Sequence, residues 1–247
     1  MSGDVPRLLN GVILLAAQTA RSQAYIQTLV AAGLLPECVV VMGPAATPVA
    51  RPLPRRDTWS GIVLPDLDEP IAVSCERAGV AVHHVSDNDV NAVATHRAIT
   101  ANSPDIVVYS GVGGQIVSEQ TLRLGPRFLH MHAGWLPQYR GSTTIYYALL
   151  EGEQPAVSAI ILEQEIDTGP VVARQHYPRP PGHMDLDRVY DAAIRADLLA
   201  QVLGNYAQSG VLAPAAVSAE RQFAPYYVIH PVLKHLSKLS LDGAKRP

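Results

Sequence analysis

Leu8-Leu9-Asn10-Gly11-Val12-Ile13-Leu14-Leu15-Ala16-Ala17 opens the chain with a run that is almost wholly apolar. It reads as a strand buried on both faces. Ser22–Ala32 then carries helical spacing, and Gly33 stands just past its end, where a left-handed residue stops a helix. Cys38–Met42 is a second apolar run. Strand, helix and strand in this order form the unit from which parallel sheets are built, because parallel neighbours need a crossover.

Outward from that unit the alternation continues. Val80–Val85, Asp105–Ser110 and Phe128–His132 read as further strands, and Ile71–Ala78 and Val90–Ala101 as helices between them. The expected class is α/β: an open, mostly parallel twisted sheet with helices on both faces. A helical segment at Thr143–Leu150, strand-like runs at Val157–Leu162 and Val171–Tyr177, and a long amphipathic helix at Asp185–Ala207 follow, with Gly210 after it. Residues 1–210 are expected to form one domain. Residues 211–247 are read as a short extension packed on the core or on a second subunit, with the apolar stretch Tyr226–Leu233 as a possible homodimer contact.

Gly43–Pro70 breaks the pattern with six prolines (Pro44, Pro48, Pro52, Pro54, Pro65, Pro70) and with Arg51, Arg55 and Arg56. It reads as a long surface excursion, or as a flap turning its arginines toward an anionic group.

Composition narrows the function. Of 247 residues, 48% are hydrophobic and 17% charged, the profile of a folded globular chain. The net charge of −3 argues against binding nucleic acid by bulk charge. No apolar run is long enough to span a bilayer, and no signal peptide is read. Two cysteines, Cys38 and Cys75, make no disulfide framework and suit a reducing compartment, so a cytoplasmic location is expected, with no membrane partner.

The chemistry gathers at His130-Met131-His132-Ala133-Gly134-Trp135-Leu136-Pro137-Gln138-Tyr139-Arg140-Gly141. Residues two apart on a strand share a face, so His130 and His132 point together. They stand where a strand gives way to a Gly/Pro loop, at the carboxyl edge where open α/β sheets bind ligands. The second signal is Glu165-Ile166-Asp167-Thr168-Gly169-Pro170, an aspartate before a turn. Alone it is a weak signal, since such an aspartate commonly bonds nearby backbone.

Together these segments resemble the formyltransferase family, whose pattern is Asn-x-His, a Leu-Pro-x-x-Arg-Gly loop, a helix and an Asp-x-Gly segment. Leu136-Pro137, Arg140-Gly141 and Asp167-Thr168-Gly169 match it, with Asp167 thirty-five residues after His132. The resemblance implies transfer of a formyl group from N10-formyltetrahydrofolate to an amine. It assigns His132 and Asp167 as the catalytic pair and places His130 beside them. It also implies folate contacts at Gly111, Gly113, Leu136, Ile166 and Asp167, and acceptor contacts at Asn88, Tyr139, Arg140 and Thr143. A small-molecule amine is the expected acceptor, an amino sugar nucleotide or a specialised metabolite. Some forty residues beyond the resemblance are too few for a tRNA-binding domain, so no nucleic acid is expected.

The family's asparagine is His130 here. A histidine donates only from the right tautomer or when protonated. His130 therefore stands as a donor to the formyl oxygen, as a sign of another acyl donor or of hydrolysis, or as the mark of a binding protein without turnover. His-x-His with an aspartate is also a conceivable zinc or iron ligand set, but the surrounding loop is that of a metal-free family, and no metal is expected. Ser142, Thr143 and Thr144 read as a helix cap, or as polar contact with the acceptor. Asn88 and Asn91 read as capping or acceptor contacts, and Trp135 and Tyr139 as stacking or packing groups.

Overall fold

The computed structural model describes residues 6–44, 57–215 and 223–242. Seven strands form one sheet: β1 (Arg7–Ala17), β2 (Leu34–Met42), β5 (Ala81–Val85), β6 (Ile106–Ser110), β7 (Arg127–His132), β8 (Ala156–Ile161) and β9 (Val171–His176). Their spatial order is β5-β2-β1-β6-β7-β8-β9. Pairings from β5 through β7 are parallel, and β7–β8 and β8–β9 are antiparallel. β3 (Thr58–Trp59) and β4 (Ile62–Val63) make a separate hairpin inside the proline-rich excursion. The arginines of that excursion, Arg51, Arg55 and Arg56, lie outside the described residues.

The first unit forms as its apolar run dictates. Val12 to Ala17 are buried, and β1 pairs with β2 and β6 along that stretch. β2 begins four residues before the run at Cys38. Pro36 is accommodated because it stands opposite Leu9 before β2 acquires β5 as its second partner at Cys38. α1 (Ala20–Ala31) is capped by Thr19, whose hydroxyl accepts from the Ser22 N–H.

Helices cover both faces. α1, α2 (Ile71–Ala78), α5 (Thr144–Leu150) and α6 (Asp191–Ser209) bury one face with Leu14, Val39, Val108, Leu129 and Met131. α3 (Val93–Asn102) and α4 (Glu119–Leu122) cover the other with Ile13, Val40, Val107 and Phe128. α3 starts three residues later than its apolar pattern, because Asp87 and Asp89 hold residues 87–91 in turns through their carboxylates. A π-helical turn, Leu186–Tyr190, leads into α6. Both cysteines are buried and free, and burial pushes the Cys38 thiol up to about 11 and the Cys75 thiol up to about 12.

After α6 the chain returns to the core. Ala215 N–H bonds to Val171 O, and α7 (Pro231–Asp242) packs on α5, with Lys234 paired to Asp187 at 2.8 Å. Tyr227, Val228, Val232, Leu236 and Leu239 remain exposed. No helix among the described residues is long and apolar enough to cross a membrane.

Candidate active site

His132 is the last residue of β7, at the carboxyl edge of the sheet. Its strand partner across the antiparallel pair is Ser158 of β8. The imidazole is buried and held at both nitrogens. Nε2 lies 2.6 Å from the Tyr139 carbonyl, and Nδ1 lies 3.4 Å from Asp167 Oδ1. A carbonyl only accepts, so Nε2 carries the proton. Burial pulls the His132 pKa down, while the Asp167 carboxylate and the Tyr139 carbonyl oppose that pull without reversing it.

Asp167 does more than face the histidine. Its Oδ2 accepts the Gly141 N–H at 2.8 Å, and its own backbone takes a positive φ of 54°. The carboxylate thus bridges β7 and the 133–143 loop. Ile166 O accepts two bonds from the Arg140 guanidinium, at 2.7 and 3.3 Å. Arg140 also donates to Phe223 O at 3.3 Å. These bonds lock the aspartate segment and the C-terminal segment to the loop.

The loop folds tightly over His132. Gly134 packs so close that a Cβ there would stand 2.5 Å from Tyr139 O and 2.8 Å from His132 Nε2. Ser158, fully buried, donates to Gly134 O at 2.6 Å and accepts from Leu136 N–H at 3.1 Å. Leu136 itself is buried with Ile160 and Val171, and its carbonyl takes a bond from Arg174 at 2.6 Å. Its side chain and backbone groups are thus held within the fold. Trp135 stacks on His176 at 4.2 Å, with the Arg174 guanidinium over its ring. The indole is a packing group.

The C-terminal segment straps the loop. Tyr226 N–H donates to Arg140 O, and Ser142 N–H donates to Tyr226 O. The Tyr226 ring stacks on Tyr139 and Tyr147, and the hydroxyls of Tyr139 and Tyr226 both reach Glu151, at 2.7 and 3.0 Å. Thr143 stands at the start of α5 with φ 53°, but its hydroxyl caps nothing. It accepts from Ile229 N–H at 2.9 Å instead. Thr143 makes no side-chain cap bond, and in this structure both Tyr139 and Thr143 bond or stack on the C-terminal strap.

His130 shares the His132 face of β7, with its Nδ1 3.4 Å from Tyr109 O. Burial holds its pKa well below the usual imidazole value, and the Arg21 and Arg195 guanidinium groups and His132 depress it further. Arg21 rises from the first turn of α1 to bond Ser110 Oγ and Gly111 O. Arg195 pairs with Asp191 at 3.0 Å and bonds Met131 O.

Gly111, buried, and Gly113, exposed, follow β6 on the same sheet edge as β7. Ile166 is half exposed beside Asp167. Asn88 is exposed after β5, and its carbonyl accepts from Gln115 Nε2 at 3.1 Å in the segment that follows β6. Asn91 is taken up by Ser118 and Thr121, and neither caps α3 nor faces the site. Among the described residues no group of three or more His, Cys, Asp or Glu could hold a metal ion.

The residues that reading side chains misses are backbone groups: the Tyr139 carbonyl, the Gly141 N–H and the Tyr226 peptide. The glycines at 134 and 141 were their only signal in the sequence.

Among curated relatives, a methionyl-tRNA formyltransferase of Sulfurovum sp. is 30% identical over 112 residues, 45% of this chain and 36% of that protein. The chain spans less than half the length of the curated methionyl-tRNA formyltransferases it matches, from 36% to 49%. Their naming for methionyl-tRNA lends no support to an expectation against nucleic-acid partners. A sugar N-formyltransferase from Shewanella sp. superposes with a TM-score of 0.56 at 14% identity, covering 93% of this chain and 87% of that one. Glycinamide ribonucleotide transformylase 1 from Symbiobacterium toebii gives 0.55 at 17%, covering 89% and 94%. These likenesses show the same α/β fold. The family model described as formyl transferase matches residues 45–198, more than half of the sequence, and with the His132–Asp167 pair at the sheet edge it leads to one conclusion: the chain belongs to the formyl transferase family.

Proposed function

We propose that the protein transfers a formyl group from N10-formyltetrahydrofolate to the amine of a small molecule, an amino sugar nucleotide or a specialised metabolite. The observation that carries this reading is the buried His132–Asp167 pair at 3.4 Å, braced by Gly141 and Tyr139 at the carboxyl edge of the sheet. The catalytic domain is residues 1–210, and residues 211–247 serve it as an extension.

The site suits an acyl transfer in which charge builds on the formyl oxygen and a proton reaches the leaving nitrogen. In His132 the Nε2 proton is held by the Tyr139 carbonyl and the Nδ1 lone pair faces Asp167. A proton taken at Nδ1 is stabilised by Asp167, and the Nε2 proton, given up by the Tyr139 carbonyl, is then the one available for the folate nitrogen. The pair is sheltered from water, which strengthens its electrostatics. Gly111, Gly113 and Ile166, on the same edge, are the groups proposed to meet the folate. The donor set fits a polar acyl group flanked by apolar and backbone surface.

The test is an assay with N10-formyltetrahydrofolate and a panel of amines, including amino sugar nucleotides and methionyl-tRNA, read by mass spectrometry for the formamide and separately for free formate. Formamide from a small amine, lost in His132→Ala and Asp167→Ala, supports the reading. Formate released at the full rate without an amine makes the protein a hydrolase. Formylation of methionyl-tRNA alone replaces the small-molecule acceptor.

A further inference from the structure

We propose that His130 is a proton acceptor for the incoming amine, with its Nε2 lone pair turned to the nucleophile, rather than a hydrogen-bond donor to the formyl oxygen. This rests on the formyl-transfer reading above and assigns the residue a role in it.

His130 Nδ1 faces the Tyr109 carbonyl at 3.4 Å, a long bond but one that only an N–H can make. With the single ring proton at Nδ1, Nε2 carries a lone pair. Among the described residues nothing bonds to Nε2, although the ring is half buried.

The surroundings keep the ring neutral. The charged and titratable groups acting on it are Arg21 from α1, Arg195 from α6 and His132 from its own strand; the partner on β6 is the Tyr109 backbone. No carboxylate is among them. Burial, with the two cations adding to it, holds the pKa well below that of free imidazole, so the ring is unprotonated at neutral pH. An oxyanion donor needs the opposite arrangement, with a proton on Nε2. The amide of an asparagine at this place supplies a donor but no base. The change to histidine therefore alters the kind of proton transfer available.

The step balances. The amine nitrogen R–NH2 forms a bond to the formyl carbon while the carbonyl pair moves to oxygen, and Nε2 takes the N–H proton. The oxygen pair then reforms C=O, the bond from carbon to N10 of the folate breaks, and N10 leaves with that electron pair and takes one proton from His132, which regains it from solvent. The products are R–NH–CHO and tetrahydrofolate, and His130 is again neutral after its proton passes to solvent.

The experiment has two arms on the full chain. Nitrogen-15 NMR of histidine-labelled protein reads the tautomer without any turnover. The expected result is an Nε2 resonance in the unprotonated range and an Nδ1 resonance carrying hydrogen, unchanged from pH 8 to 6. A protonated Nε2 at pH 7 overturns the proposal whether or not the protein transfers formyl groups. The second arm compares wild type with His130→Asn and His130→Gln. Loss of about 10²-fold in kcat, with disappearance of an acidic limb lying well below pH 6.5 from the kcat/KM profile, is expected. An unchanged rate and profile in folded His130→Asn overturns it too. If the wild type forms no formamide with any amine, the formyl-transfer reading fails, and the tautomer measurement still decides whether His130 is an acceptor.

Discussion

Asp167 spends one carboxylate oxygen on the His132 imidazole and the other on the Gly141 N–H, at 3.4 and 2.8 Å. One side chain thus sets the orientation of the imidazole and the position of the loop that covers it. Asp167→Asn separates these duties. The amide oxygen can still accept from Gly141, but an NH2 replaces the group that favours a second proton on His132. Turnover is expected to fall about 10²- to 10⁴-fold, with thermal stability lowered by about 1 kcal/mol or less. Steady-state kinetics beside a melting curve decides it, and a variant that unfolds without a specific loss of kcat would make Asp167 purely structural.

Gly141 lies at φ 97°, and a Cβ on it would collide with the Tyr226 carbonyl. Gly141→Ala must therefore break the strap or move the loop. Stability should drop by about 1–3 kcal/mol, and kcat should fall with it because the Asp167 contact shifts. Tyr226→Phe removes only the hydroxyl bond to Glu151 and should cost about 1 kcal/mol or less. Equal effects from the two variants would contradict a strap that works through the Tyr226 backbone.

The parts of this arrangement that were legible in the sequence are those that side-chain chemistry marks. The Val/Ile/Leu runs of β1 and β6 announce strands buried on both faces, and the period-two spacing of His130 and His132 places them on one face. The antiparallel turn of the sheet at β8 was not legible. Val157–Leu162 reads as an apolar run whichever way it points, and its direction shows only in the register, which runs from Leu129 opposite Ile161 to His132 opposite Ser158. The intramolecular partners of Arg140 and Thr143 were not legible, because a polar side chain beside a catalytic loop has no visible partner until the chain closes. Their partners are carbonyls and an N–H more than twenty residues away, and backbone groups carry no residue identity in a sequence.

Both buried histidines should make the fold sensitive to acid. Their folded pKa values lie below the usual 6.5, so between those values and 6.5 the unfolded chain binds more protons than the folded one. Stability is full above pH 6.5 and is lost as the pH falls from there through the folded values. Melting temperature should be flat from pH 8 to 7 and should decline below pH 6.5, and the decline should be shallower in His130→Asn. A decline of the same slope in that variant would place the proton uptake elsewhere.

Ser158 offers the sharpest test of the support beneath the site, because its hydroxyl is fully buried and makes two bonds to one loop. It donates to Gly134 O at 2.6 Å and accepts from Leu136 N–H at 3.1 Å. Ser158→Ala leaves a buried acceptor and a buried donor without partners, each costing about 1–3 kcal/mol, with no large cavity to add to the loss. Gly134 in turn sets the approach of the Tyr139 carbonyl to His132, so loosening it should release the Nε2 proton from its acceptor. Denaturant melts should show the stability loss. Kinetics should show a lower kcat in protein that is still folded at the assay temperature. A stability change under about 0.5 kcal/mol would mean that water replaces the hydroxyl and that Ser158 does not anchor the loop.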